Sequence, residues 1–270
     1  KFAFDTNLWK KMMIYGLPLL VAGLAGMTNE TIDRALLKHF LPNPETAPAQ
    51  LGLYGAFYKL SIIMILFIQT FRFAAEPFFF DQYKNKNNRL IYADVMKYFT
   101  LFMIVIFLGV TIFYDFAVAF LGEEYRDPIG FQVVSILLLA NLFLGIFFNL
   151  SIWYKLTEKT VFGAYLSIFG AIITLTLNFI LIPKIGIEGS AWATLGCYFS
   201  MALASYFLGK KYFPIPYQTG RIGLYLLIML VIYGILYKTS LNIIINSLFL
   251  LGFIIFVYFF SISGVFALSG

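Results

Sequence analysis

Long apolar runs separated by short polar intervals are the first feature of this chain. Eight runs lie near 12–36, 52–78, 97–121, 129–153, 161–182, 187–208, 221–238 and 241–262. Each is long enough to cross a bilayer, which takes about 20 mostly apolar residues as a helix. None shows the short in–out alternation of a membrane β-strand. Glycines are scattered through the runs, and Pro18 and Pro77 lie within or at the end of two of them, as membrane helices tolerate. The pattern predicts an all-α polytopic membrane protein with eight transmembrane helices.

The intervals carry turn chemistry rather than catalytic motifs. "LPNPETAPAQ" (41–50) is rich in proline, which stops one helix and starts the next, and "DQYKNKNNR" (81–89) is a basic loop. Neither holds a glycine-rich phosphate loop or a nucleophile elbow. No interval is long enough for a soluble domain of its own, so function must reside in the helices.

Composition points the same way. Hydrophobic residues make up 61% of the 270 and charged residues only 12%, with a mean hydropathy of +0.87, whereas a soluble domain carries about 25% charged residues. The solvent for so much apolar surface is lipid. One cysteine, Cys197, and one histidine argue against metal binding, a disulfide framework and Cys/His catalysis. The net charge of +6 does not point to nucleic acid, because the cations are spread along the chain.

Their placement instead gives an orientation. With a cytoplasmic N-terminus, the inside collects Lys1, Lys10, Lys11, Lys84, Lys86, Arg89, Lys97, Lys155, Lys159, Lys210, Lys211 and Arg221. The outside collects only Lys38, Arg126, Lys184 and Lys238, an asymmetry in keeping with the positive-inside rule. Both ends of the chain are then expected in the cytoplasm. The first residue is Lys1 rather than Met, as expected of a piece of a longer gene product. Lys10-Lys11 and the apolar run after it have the outline of a signal peptide, but the run continues into "TNETIDRALLKHF" (28–40).

That stretch brings ionisable residues into a membrane helix, where each costs about 2.5–3.5 kcal/mol on insertion scales. Glu30 and Arg34 are four apart on one face, as are Asn29 and Asp33. The second helix carries Lys59 early and Arg72 with Glu76 near its end. At 1.5 Å per residue, Arg34 lies about 35 Å after Lys11 and Lys59 about 12 Å after Leu51, which puts both in the outer half. Arg72 and Glu76 belong near the inner face. Each four-residue pair is either an internal salt bridge or part of a polar cavity. Lys59 has no carboxylate three or four residues away and calls for an anion from another helix or a ligand. Tyr54 and Tyr58 offer faces for packing or for sugars. Asn141, Asn149 and Asn178 are candidates for interhelical hydrogen bonds or a cavity wall. Small residues at Gly189, Ala193 and Cys197, and at Gly186, Ser190 and Thr194, predict close helix approach.

"WKKMMIYGLPLLVAGLAGMTNETIDRALL" followed by "LGLYGAFYKLSIIMILFIQTFRFAAEPFFF" resembles helices seven and eight of bacterial polysaccharide-biosynthesis flippases. These are the Wzx-like members of the multidrug/oligosaccharidyl-lipid/polysaccharide exporter superfamily. "LGEEY" (121–125), "LTEKT" (156–160) and "LNFILIPKIGIEGSAWAT" (177–194) continue the resemblance in order. The resemblance implies a transporter rather than an enzyme, in the bacterial inner membrane. It would have two six-helix lobes around a central cavity and flip an undecaprenyl-pyrophosphate-linked oligosaccharide by alternating access. Residues 1–208 would be the C-terminal six-helix lobe and 209–270 two further helices. The N-terminal lobe of the same protein is then a missing partner, alongside lipid-linked oligosaccharide and membrane lipids. Arg34, Lys59 and Arg72 would attract the headgroup. Glu30, Asp33 or Glu76 would couple transport to protons or sodium, with no other cofactor and no metal site.

A lipid II-type flippase, a cation-coupled drug exporter of the same superfamily and a structural membrane subunit are the rival expectations. A polytopic glycosyltransferase would need acidic residues in a sizeable outside loop, and Glu123, Glu124 and Asp127 sit in a short one.

Overall fold

The computed structural model describes residues 4–122, 125–238 and 243–266, and all the regular structure in them is helical. The helices are α1 (Thr6–Phe40), α2 (Ala47–Gln82), α3 (Asn88–Ile112), α4 (Tyr114–Ala119), α5 (Gly130–Leu150), α6 (Ile152–Leu156), α7 (Val161–Tyr212), α8 (Thr219–Lys238) and α9 (Ile243–Phe266). Six helical stretches are long and apolar enough to cross a membrane, α5 and α6 counting together as Gly130–Leu156.

Local chemistry sets the ends. Asp5 caps α1 by accepting from the backbone N–H groups of Asn7 and Leu8, at 2.9 and 3.1 Å. Pro42 ends it, because a residue before proline is driven from helical to extended backbone, and Leu41 has φ −62° and ψ 133°. Pro48 then sits in the first turn of α2, where its missing N–H costs nothing.

The third helix departs from the expected 97–121. It starts at Asn88 and breaks at Phe113, which has φ −97° and ψ 22°. Residues 88–96 are amphipathic rather than uniformly apolar, with Tyr92, Ala93 and Met96 buried and Arg89 and Leu90 exposed. Lys97, expected in a loop, therefore lies inside the helix. It is 3% exposed and bonds Asp94 at 3.1 Å.

Helix α7 is two legs rather than one rod. Ile185 (φ −133°, ψ 17°) and Gly186 (φ 59°, ψ −133°) leave helical geometry, and the left-handed value at Gly186 is one that L side chains rarely adopt. The legs meet in antiparallel order. A Cβ on Gly189 would lie 2.6 Å from the Leu181 carbonyl, and one on Gly196 would lie 2.6 Å from the Leu177 side chain. The Cys197 thiol reaches the Gly170 carbonyl at 3.2 Å. The expected spans 161–182 and 187–208 are these legs. Gly189, Ala193 and Cys197 form the close-packed seam, whereas Gly186 belongs to the turn.

Helix α5 is the centre of the bundle. It packs on α7, α2 and α3, while α7 also packs on α1. Helices α8 and α9 lie against α3, away from the α1–α7 side. Among these six stretches α1 is the least buried along its apolar part, 6% against 78% for Gly130–Leu156. Leu17, Leu20, Leu24 and Met27 stand exposed along it.

Candidate functional site

A cavity of about 1050 Å³ lies between α1, α2, α5–α6 and α7. On α1 its lining runs from Tyr15 to Glu30, a length of about 22 Å at helical rise. Its walls are largely apolar and aromatic, including Leu19, Met27, Phe147, Phe148, Tyr154 and Tyr198. Five ionisable side chains interrupt them: Glu30, Arg72, Glu76, Lys155 and Glu158.

Three of the five form one network. Lys155 Nζ donates to Glu76 Oε1 at 2.5 Å, and Arg72 Nε stands 3.6 Å from the same oxygen. Arg72 also donates through Nη1 to Gln69 Oε1 at 3.1 Å, and its guanidinium lies 3.9 Å from the centroid of the Phe148 ring. One carboxylate thus faces two cations from α2 and α6. The α6–α7 turn is tied to α1 beside them. Thr160 donates to the Tyr15 carbonyl at 2.9 Å, and Tyr15 donates to the Lys155 carbonyl at 3.4 Å.

Beyond the deep end of the cavity lies a second polar centre built on Asp33, which is 1% exposed. Its Oδ1 accepts from Asn178 at 3.0 Å, and its Oδ2 accepts from Thr194 at 2.6 Å and from Tyr54 at 3.3 Å. These donors come from α2 and from both legs of α7, so one carboxylate joins four helical segments. Asn29, one turn earlier on α1, lines the cavity and is 2% exposed. Both polar atoms of its amide lack a hydrogen-bond partner, as do Asn178 Oδ1 and Ser190 Oγ. Unpartnered buried polar atoms are uncommon and costly, and their concentration around Asp33 marks the least satisfied part of the core.

The remaining candidates separate. Arg34 is exposed one turn beyond Glu30, with its guanidinium 4.7 Å from the centroid of the Tyr58 ring. It forms no ion pair with Glu30. Lys59 is exposed and does not line the cavity. Gly52, Lys59, Leu66 and Phe73 recur every seven residues, hence along one stripe of α2, and all four are exposed. The cavity stripe is instead Gln69, Arg72 and Glu76. Tyr54 is fully buried and Tyr58 nearly so, 6.3 Å apart. Asn141 donates to the Ser61 carbonyl at 3.1 Å and joins α5 to α2. Asn149 is buried with Nδ2 unpartnered. Glu123 and Glu124 lie outside the described residues.

Loop sorting put Lys155 at the inside surface and missed its place in the cavity wall. The apolar stretch Ile152–Leu156 is helical around it, and Lys155 is 9% exposed. The clue was the apolar residues on both sides of the lysine.

The fold and this cavity define an α-helical membrane protein with an internal charged network. Comparisons with protein-family models, curated proteins and solved structures return no match to this chain.

Proposed function

We propose that the chain is part of an alternating-access flippase that moves a lipid-linked oligosaccharide, of the undecaprenyl-pyrophosphate type, across the bacterial inner membrane. In this reading it makes eight crossings, with the two legs of α7 counted separately and α9 as the last. Residues 1–208 form a lobe whose partner is a preceding lobe of the same protein. The observation that carries the reading is the 1050 Å³ cavity, with Arg72 and Lys155 set among aromatic walls. Fixed cations lower the cost of bringing a pyrophosphate out of water, and flanking aromatic rings suit sugar faces.

The headgroup cations are therefore Arg72 and Lys155, with Arg34 one turn beyond the cavity. Lys59 fits an interface with the absent lobe better than a place at the cargo. Asp33 is the coupling carboxylate for a proton or sodium ion. It joins α1, α2 and both legs of α7 through three hydrogen bonds, so a change in its charge would be felt by all of them at once.

One observation favours a second reading. Three carboxylates, Glu30, Glu76 and Glu158, line the cavity against two cations, a balance suited to the export of organic cations. The two readings separate in the native host. Arg72→Ala and Lys155→Ala in the full-length protein should reduce surface glycan while protein levels hold. Normal glycan in both, with Glu30→Gln abolishing efflux of a cationic dye, would replace the flippase with an exporter.

A further inference from the structure

A second hollow, of about 570 Å³, lies between α2 and α3 and shares no lining residue with the large cavity. On α3 its lining runs from Ile91 to Phe102, about 16 Å at helical rise. On α2 it runs from Phe67 to Phe71. Two ring pairs bridge the helices, Phe71 with Phe99 at 4.4 Å between centroids and Phe67 with Phe102 at 5.3 Å. Phe99 is buried, whereas Phe67, Tyr98 and Phe102 are exposed. The hollow is therefore an open groove with an aromatic floor and an aromatic rim.

Asp94 is the charged residue in its lining. Lys97 donates to Asp94 Oδ1 at 3.1 Å, and Gln218, just before α8, donates to the same oxygen at 3.5 Å. Among the described residues, Oδ2 receives no hydrogen bond. The Lys97 side chain is 4% exposed and that of Asp94 is 52% exposed. The lysine is thus a buried strut, with its ammonium also 4.4 Å from the centroid of the Tyr98 ring, and the carboxylate keeps one oxygen for a donor from outside.

The level of Asp94 suits a lipid headgroup. From Tyr98 to Ile112 α3 carries no charge, a length of about 22 Å and most of a hydrocarbon core of about 30 Å. Asp94 therefore stands near the boundary of that core, and the groove runs from it toward Phe102 among acyl chains. Lys84 and Lys86 are exposed in the turn between α2 and α3, on the other side of Asp94.

We infer that this groove binds a phospholipid whose headgroup carries a primary ammonium, with one acyl chain along Val95, Phe67 and Phe102 and the ammonium donating to Asp94 Oδ2. The phosphate then lies toward Lys84 and Lys86. A charged N–H donor makes a short, strong hydrogen bond to a carboxylate oxygen, whereas a quaternary ammonium has no N–H to give. The site is separate from the large cavity and independent of its cargo.

Native mass spectrometry of the purified full-length protein tests the site, with phosphatidylethanolamine, phosphatidylcholine or phosphatidylglycerol of one acyl length added in detergent. A hydrogen bond to a charged partner is worth on the order of tenfold in affinity, so phosphatidylethanolamine should be retained about tenfold over phosphatidylcholine. Asp94→Asn with Lys97→Met removes the carboxylate without stranding the buried ammonium, and should bring the two lipids level. Thr70→Trp, which fills the groove from α2 and leaves Asp94 in place, should lower retention of phosphatidylethanolamine. Asp81→Asn, on an exposed carboxylate near the end of α2 and outside the groove, should leave the preference intact. An equal loss there would mean a general effect of surface charge and overturn the site. So would equal retention of phosphatidylethanolamine and phosphatidylcholine by the unaltered protein, or a preference for phosphatidylglycerol. Full retention in Thr70→Trp, or an unchanged preference in the Asp94–Lys97 double variant, would overturn it as well. Melting temperatures of the variants, expected close to that of the parent, separate lost binding from lost fold.

Discussion

Thr194 donates its hydroxyl to Asp33 at 2.6 Å across 161 residues of sequence, and so joins the second leg of α7 to α1. Thr194 also bonds the Ser190 carbonyl at 3.0 Å, and Asn178 the Thr174 carbonyl at 2.9 Å. Both donors therefore keep a backbone acceptor if the carboxylate is removed. Tyr54, fully buried, does not have that local alternative. Asp33→Leu should then destabilise the protein by about 1–3 kcal/mol, mainly by stranding the Tyr54 hydroxyl. Adding Tyr54→Phe should recover part of that loss. Unfolding midpoints of the four proteins of this cycle in detergent would show it, and strictly additive effects would mean the two residues are not coupled.

The Glu76 network predicts an asymmetry. Glu76 serves both Lys155 and Arg72, whereas each cation serves only Glu76 within it. Lys155→Met leaves Glu76 with Arg72, but Glu76→Gln leaves two neighbouring cations uncompensated, with the Lys155 side chain only 11% exposed. Breaking a fully buried pair costs about 3–5 kcal/mol. The Glu76 side chain is 37% exposed, so its loss should cost about 3 kcal/mol or less. The ordering is the test: Glu76→Gln should lower the melting temperature more than Lys155→Met.

These two centres show what the sequence carried and what it did not. Position along each helix was legible, because helical rise turns residue number into distance along its axis. It set Arg72 one turn before Glu76, and the two stand 3.6 Å apart. Azimuth was not, because the rotation of α2 about its own axis depends on what α3 and α5 cover. That is why Lys59, at a plausible depth, faces away from the cavity with Leu66 and Phe73. Partners distant in sequence were equally hidden. Nothing local joins Asp33 to Asn178 and Thr194, or Glu76 to Lys155. The two legs of α7 were legible as the separate runs 161–182 and 187–208, and their seam as the small residues Gly189, Ala193 and Cys197, whereas Gly186 was grouped with the packing residues and instead makes the turn. The start of α3 was missed because amphipathic residues 88–96 dilute its hydropathy.

The seam of α7 makes a third prediction. At Gly189 an added Cβ would meet backbone, the carbonyl carbon and oxygen of Leu181, each at 2.6 Å. At Gly196 it would meet only Leu177 Cδ1 at the same distance. A leucine methyl can swing aside, whereas a helix backbone moves only if the legs part. Gly189→Ala should cost about 1–3 kcal/mol by overpacking, and Gly196→Ala distinctly less. Thermal unfolding of the two variants side by side measures the difference. Equal losses would mean that the legs do not touch at Gly189.

The orientation derived from loop charge is open to direct labelling. Helix α2 has 36 residues, about 54 Å at helical rise, against a hydrocarbon core of about 30 Å. Its two ends should therefore reach opposite surfaces, with Asn43 in the turn before it and Asn87 in the turn after. The native Cys197 is fully buried and gives little background with a membrane-impermeant maleimide. Asn43→Cys should label in intact cells, and Asn87→Cys only after permeabilisation, since the positive-inside reading of Lys84, Lys86 and Arg89 assigns that loop to the cytoplasmic side. The reverse pattern would invert the orientation without disturbing the fold. Labelling of both from one side would contradict a crossing by α2.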